Sequence, residues 1–216
     1  PGSATVMVDS GASITANGNG GKGGVVVLIG NSVSNGGDIL APGGSVALAA
    51  GSQVTLDPVG DGLTTLRVDA GALEGRLAGR VENVGDIQAD GGRVLLLTQE
   101  TWGLIVNGIF PDGSFVPTAG HIQARSGQIV LDAGSGGVEV RSGALDVGGA
   151  GSAQGGSVDI RGTDVSLTGQ IVADSGPGGG RGGQVQVHAS HDLTLDGPLS
   201  ARGRTGGGLI ETSGSS

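Results

Sequence analysis

The chain has 216 residues, a net charge of −9, 49 glycines and no cysteine, and its aromatic residues are two phenylalanines and one tryptophan. The missing cysteines exclude disulfides, thiol chemistry and thiolate metal sites. The acidic balance argues against nucleic acid, whose backbone calls for clustered lysine and arginine, and no run of 18 apolar residues is present to cross a membrane as a helix.

The charged fraction of 14% is too low to keep the chain open by self-repulsion. The first residues, PGSATVMVDSG, lack the pattern of a signal peptide and read as an internal boundary. From there short alternating runs follow one another, each closed by Gly, Asn, Asp or Ser. They are SITA (13–16), VVVLIG (25–30), SVALAAG (45–51), QVTLD (53–57) and RVLLLT (93–98). QIVLDA (128–133), GVEV (137–140), SVDIRG (157–162), DVSLTG (164–169), QVQVHA (184–189), DLTLDG (192–197) and LIETSG (209–214) continue the series. Glycine costs a helix about 1 kcal/mol per interior position, and only AGALEGRLAGRV (70–81) has a locally helical pattern.

One phrase recurs along the chain: GDILAPGGSVALAAG (37–51), GDIQADGGRVLLLT (85–98) and GHIQARSGQIVLDAG (120–134). Paired glycines begin at Gly23, Gly43, Gly91, Gly155, Gly182 and Gly207, and Ser126–Gly127 fills the same role. The intervals are 20, 48, 35, 29, 27 and 25 residues. A period near 20–30 with two or three short strands predicts an all-β right-handed parallel β-helix, a single-stranded solenoid. The 48-residue interval then holds an insertion or two irregular coils.

Because one coil cannot bury its own apolar face, each must stack on the next. The expected inward residues are Val46, Leu48, Ala50, Val54, Leu56, Val94, Leu96, Ile129, Leu131, Val158, Ile160, Val185 and Val187. Shallow corners favour small side chains, which suits the many alanines. Asn83 and Asn107 suit internal stacks or turns. Eight to ten coils at about 4.8 Å each predict a rod of about 40–50 Å. The whole of residues 1–216 reads as a single β-helix domain, with two extra-helical insertions. One is irregular, 58–80. The other, 99–120, is a loop or hairpin that carries Trp102, Phe110 and Phe115. Those aromatics either cover the rod's apolar surface, anchor a partner or ligand, or line a pocket.

ENVGDIQADGGRVLLLT (82–98) resembles the repeat phrase of filamentous haemagglutinin-like exoproteins, the passengers of two-partner secretion. GGSVALAAGSQVTLDPVGDGLTTLRVDAGALEG (43–75) resembles the segment that follows their secretion domain, and GGLIETSG (207–214) a phrase further downstream. The resemblance covers most of residues 30–214 and implies a β-helical passenger, exported through an outer-membrane partner transporter. It implies a protein secreted by, or held on the surface of, a Gram-negative bacterium, serving adhesion, aggregation or biofilm formation. A surface receptor or glycan would be met through the parent protein. The asparagine-rich NPNG phrase of the secretion domain is absent, so an internal fragment is expected, with open strand edges that offer a route to end-to-end self-association.

For catalysis, carboxylates would have to gather on one face, as in a polysaccharide-active β-helix enzyme. Asp86, Asp90, Asp132, Glu139, Asp146, Asp159, Asp164 and Asp174 are instead dispersed and read as surface or turn groups. His188 and His191, beside Asp192, have a spacing that suits two metal ligands, without a third or fourth in the sequence. His121 occupies the coil position of Asp38 and Asp86. GGKGG (20–24) and GPGGGRGG (176–183) lack the aspartates of a calcium repeat and the lysine of a phosphate loop. The expectation is a non-catalytic structural or adhesive rod, without metal, cofactor or nucleic acid. The alternative is a polysaccharide-binding module or enzyme with its site near 99–120.

Overall fold

The computed structural model of the chain describes residues 4–19, 23–51, 53–59, 62–70, 79–98, 104–106, 120–141 and 143–215. Its strands follow one another three to a coil. The first coil is β1 (Thr5–Val8), β2 (Ser13–Thr15) and β3 (Val25–Gly30); the second is β4 (Ser32–Asn35), β5 (Asp38–Leu40) and β6 (Ser45–Ala50). A hairpin, β7 (Gln53–Val59) and β8 (Gly62–Ala70), comes next. The third coil is β9 (Val81–Asn83), β10 (Asp86–Gln88) and β11 (Arg93–Thr98). The fourth is β12 (Leu104–Val106), β13 (His121–Gln123) and β14 (Gln128–Asp132). Then come β15 (Val138–Val140), β16 (Ala144–Asp146) and β17 (Ser157–Gly162), followed by β18 (Val165–Leu167), β19 (Gln170–Val172) and β20 (Gln184–Ala189). The last coil is β21 (Leu193–Leu195), β22 (Leu199–Ser200) and β23 (Leu209–Gly214).

The first strands of the seven coils form one sheet, the second strands another and the third strands a third. Every pairing within these sheets is parallel and joins neighbouring coils. The molecule is therefore a right-handed parallel β-helix, the hand that parallel crossover connections take. Six inter-coil steps of about 4.8 Å give a stack about 30 Å long. Among the described residues seven coils stand where eight to ten were expected; the 48-residue interval holds the β7–β8 hairpin, and β6 pairs directly with β11 across it.

The interior is a set of side-chain columns. The third sheet stacks Val26, Val46, Val94, Ile129, Val158 and Val185, and beside them Leu48, Leu96, Leu131, Ile160 and Val187, all buried. The second sheet stacks Ile39, Ile87, Ile122, Leu145 and Ile171. After that sheet the chain turns inward through Ala41, Ala89, Ala124 and Ala173, with Val147 in the same column. Methyl groups fill a corner too shallow for larger side chains. Each buried Val, Leu or Ile contributes about 1.5–3 kcal/mol relative to exposure, and the stack multiplies that term coil by coil.

Two buried asparagines continue the core on the first sheet. Asn35 donates to the side-chain oxygen of Asn83 at 2.7 Å, in register one coil away. Asn83 in turn donates to the Gly85 carbonyl at 2.9 Å. Asn83 thus takes part in an internal stack; Asn107 lies outside the described residues.

Outward alternation distinguishes one end of the third sheet from the other. β20 (QVQVHA) alternates strictly between exposed and buried, whereas all six residues of β6 (SVALAA) are buried. On the outside of β6 lies a second apolar cluster of Ala47, Ala49 and Leu95, joined by Val27, Val54, Leu97 and Val130. Val54 belongs to the hairpin, which pairs antiparallel and lies outside the three sheets. This corrects the placement of QVTLD as a coil strand with Val54 facing in; the side chain of Leu56 lies outside the described residues. Alternation reports a half-buried strand and not which surface buries it; here the covering surface is the outside of the third sheet.

Within the segment 99–120, Leu104–Val106 form the first-sheet strand of the fourth coil, paired with β9 and β15. Of the segment 70–81 with the helical pattern, Ala70 ends β8 and Val81 opens β9, and residues 71–78 lie outside the described residues.

Candidate functional site

Trp102, Phe110 and Phe115, the residues singled out for ligand or partner contact, lie outside the described residues. The site chemistry that can be followed lies with the carboxylates, the histidines and the corner between the second and third sheets.

The carboxylates are spread over all three sheets and serve two local jobs. Some pair with an arginine two residues away in the chain: Glu82 with Arg80 at 2.6 Å, Glu139 with Arg141, and Asp159 with Arg161 at 2.6 Å. Others receive backbone N–H groups at coil corners. Asp132 accepts from Gly134 and Asp146 from Gly148 within one turn. Asp90 accepts from Arg125 N–H, Asp164 from Asp192 N–H and Asp174 from Arg202 N–H, each one coil further on. A corner carboxylate thus satisfies a donor that the ladder leaves without a carbonyl. At Asp90, burial pushes the pKa up. Hydrogen bonds from Gln88, the Arg125 N–H and Gln123, together with the Arg125 charge, outweigh it and hold the carboxyl below its ordinary value.

The histidines separate. Asp38, Asp86 and His121 stand in one column of the second sheet, as their shared position in the repeated phrase predicts. His188 projects from the third sheet, with Nδ1 2.8 Å from the Ser213 hydroxyl. His191 lies at the following corner, where Nδ1 is 2.9 Å from an oxygen of Asp164 and 3.4 Å from one of Asp192. The structure therefore does not bring His188 and His191 together as a ligand pair. It brings His191 and Asp192 to Asp164, with the three ligand atoms within 4.8 Å of one another and all three residues exposed. Asp164 belongs to the preceding coil. The signal that would have found it is the coil repeat, since Val165 pairs with Leu193 and so stacks Asp164 on Asp192.

In itself this group is a hydrogen-bonded ion pair. The bond to Asp164, then the Asp192 and Asp164 charges, raise the His191 pKa. The bond from His191, then the Asp192 N–H, lower that of Asp164. The His191 contribution to stability is complete below the ordinary imidazole value of 6.5 and is lost as pH rises through its higher folded value. The Asp164 contribution is present above the ordinary carboxyl value of 3.8 and is lost as pH falls through its lower folded value. The pair is therefore intact between those two ordinary values. In an NMR titration the His191 imidazole is expected to titrate above its ordinary value, and Asp164→Asn is expected to bring it down. A wild-type midpoint at the ordinary value, unmoved by the substitution, would contradict the pairing.

A groove of about 620 Å³ lies at the corner between the second and third sheets of coils four to seven. Its floor is the main chain of the repeated glycines, among them Gly127, Gly156, Gly183 and Gly208, and its rim includes Ser126, Gln154, Ser157, Arg181 and Gln184. A smaller hollow of about 230 Å³ lies on the outside of the third sheet. There Asp159 bonds Arg161, Gln186 bonds Glu211 and His188 bonds Ser213, so its polar groups engage one another. No protein-family model matches the sequence, and no curated protein matches it.

Proposed function

We propose that this chain is a non-catalytic structural and adhesive rod, part of a secreted or surface-held bacterial exoprotein of the filamentous haemagglutinin-like kind that the repeated phrases resemble. The observation that carries the reading is the unbroken register of seven coils through three parallel sheets. Such a stack resists bending and places whatever it bears at a fixed distance from its base. The carboxylates support the same reading. Glu82, Glu139 and Asp159 neutralise neighbouring arginines, and Asp90, Asp132, Asp146 and Asp174 bind corner N–H groups, which are structural duties. In this reading the parent protein crosses the outer membrane through a dedicated partner transporter and meets a receptor or glycan on another cell.

The test is to display the chain on beads or on non-adherent cells and to measure attachment and clumping, alongside release of reducing ends from a panel of acidic and neutral polysaccharides. The rod is expected to promote attachment or clumping without releasing product. Sustained polysaccharide turnover by the purified chain would overturn the reading in favour of a β-helix enzyme.

A further inference from the structure

We propose that the groove at the corner of coils four to seven binds an acidic, uronate-bearing polysaccharide strand, with Arg181 as the carboxylate anchor. The proposal rests on the reading of the chain as an adhesive rod and gives that rod a contact of its own, away from residues 99–120.

Charge pairing sets this corner apart. In a chain of net charge −9, Arg80, Arg125, Arg141 and Arg161 each face a carboxylate. Arg181, Arg202 and Arg204 have no carboxylate partner among the described residues, and all three are exposed. They lie on two stacked loops. Arg202 and Arg204 flank Gly203, which is packed so closely on Arg181 and Gly182 that a Cβ there would lie 2.3 Å from the Gly182 nitrogen. Arg204 is held by the Pro177 carbonyl at 3.2 Å, a neutral partner that leaves its charge unbalanced. The single acid of these loops, Asp174, is already engaged by the Ser200 hydroxyl and the Arg202 N–H.

Shape points to the same ligand class. The groove runs along the rod across four coils, so it fits an extended chain better than a compact molecule. Its glycine floor admits no side chain: a Cβ at Gly156 would lie 2.1 Å from the Gly127 oxygen, and one at Gly183 2.0 Å from the Gly156 oxygen. A ligand strand can therefore lie directly on main chain. The amides and hydroxyls of Gln154, Gln184, Ser126 and Ser157 suit the hydroxyls of sugars. The guanidinium fork of Arg181 matches a carboxylate in two parallel hydrogen bonds. A single-stranded nucleic acid would instead require aromatic platforms for its bases, and the groove has none.

The experiment uses the full 216-residue chain in affinity electrophoresis and biolayer interferometry. Polygalacturonate is the probe, with dextran, dextran sulfate and polyuridylate as comparisons. Polygalacturonate is expected to retard the chain and dextran to leave it unmoved. Arg181→Gln is expected to weaken binding by about tenfold or more, the loss of a charge-assisted pair. Arg202→Gln with Arg204→Gln is expected to weaken it by a smaller factor and to flatten its salt dependence. Circular dichroism checks that these exposed substitutions leave the fold unchanged. Absence of wild-type binding at low salt, or a triple variant that binds like wild type, would overturn the site. Equal binding of dextran sulfate or polyuridylate would overturn recognition of uronate. If binding fails while the displayed rod still promotes attachment, the groove proposal falls alone. Release of reducing ends would instead bring down the rod reading.

Discussion

Replacing Gly92 by alanine is expected to cost about 3 kcal/mol or more, while alanine at its neighbour Gly91 is expected to cost only about 1–2 kcal/mol. The two glycines are required for different reasons. Gly91 has φ +75 with nothing within 4 Å of the position a methyl group would take, so its cost is backbone conformation alone. Gly92 has no such φ, but its methyl would lie 1.8 Å from the Gly44 oxygen. That oxygen accepts the Arg93 N–H at 2.9 Å and cannot retreat without breaking the ladder. The same relation repeats from Gly44 to Gly208, each glycine lying against the carbonyl of the one before. Ser126 supplies an internal control. It occupies the position of Gly43 and Gly91 with φ 56 and is the only non-glycine at positive φ among the described residues. Gly91→Ser should therefore be tolerated about as well as Gly91→Ala. Denaturant midpoints at constant slope measure all three variants. Equal losses at Gly91 and Gly92 would contradict the distinction.

Leu96→Ala is expected to cost about 2–5 kcal/mol, the range for a buried leucine that leaves a cavity. Leu96 is wholly buried in the third coil, in register with Leu48 on one side and Leu131 on the other. Neither neighbour can collapse into the gap without leaving its own coil, so the upper part of the range is expected. Ile210→Ala is the comparison. Ile210 continues the column of Val185 but stands in the last coil, where it is 43% exposed. Its loss should be under about 1.5 kcal/mol, since only part of the side chain leaves water on folding. Thermal and denaturant unfolding give both values, and a larger loss at Ile210 than at Leu96 would contradict the stacking order.

The glycine spacing carried most of the fold. Intervals of 20, 48, 35, 29, 27 and 25 residues between paired glycines are the register offsets of the third sheet, strand by strand. They coincide because the second glycine of each pair is fixed by contact with the previous coil, so sequence spacing and spatial stacking are one constraint. The hairpin escaped the sequence reading because QVTLD alternates identically whether it buries its apolar face in the rod or on it. The distinguishing evidence was in its neighbours: SVALAA and RVLLLT are apolar on both faces, and a strand buried on both sides needs an outer cover. The Asp164–His191 pair escaped because 27 residues separate its members. Coil lengths vary enough that a polar residue one coil away is found only once the register is known. The arginine corner was hidden for a related reason. Nothing in the sequence around Arg181, Arg202 and Arg204 sets them apart, and only the pairing of Arg80, Arg125, Arg141 and Arg161 makes their lack of a carboxylate visible.

The most direct test of the seven-coil stack is oxidative cross-linking of engineered cysteine pairs, in a chain that has no cysteine of its own. Asp159 and Gln186 are register partners on the outer face of the third sheet, about 4.8 Å apart along the stack, within the span a disulfide bridges. Asp159→Cys with Gln186→Cys is expected to form an intramolecular disulfide readily, detected as a mobility shift reversed by reductant. Asp159→Cys with Gln184→Cys, two residues out of register and about 8 Å apart, is expected to remain reduced, because that exceeds the limit for a bridge. Cross-linking of the out-of-register pair, with none of the in-register pair, would contradict the parallel coil on which the rod, its corner groove and the adhesive role proposed for it all depend.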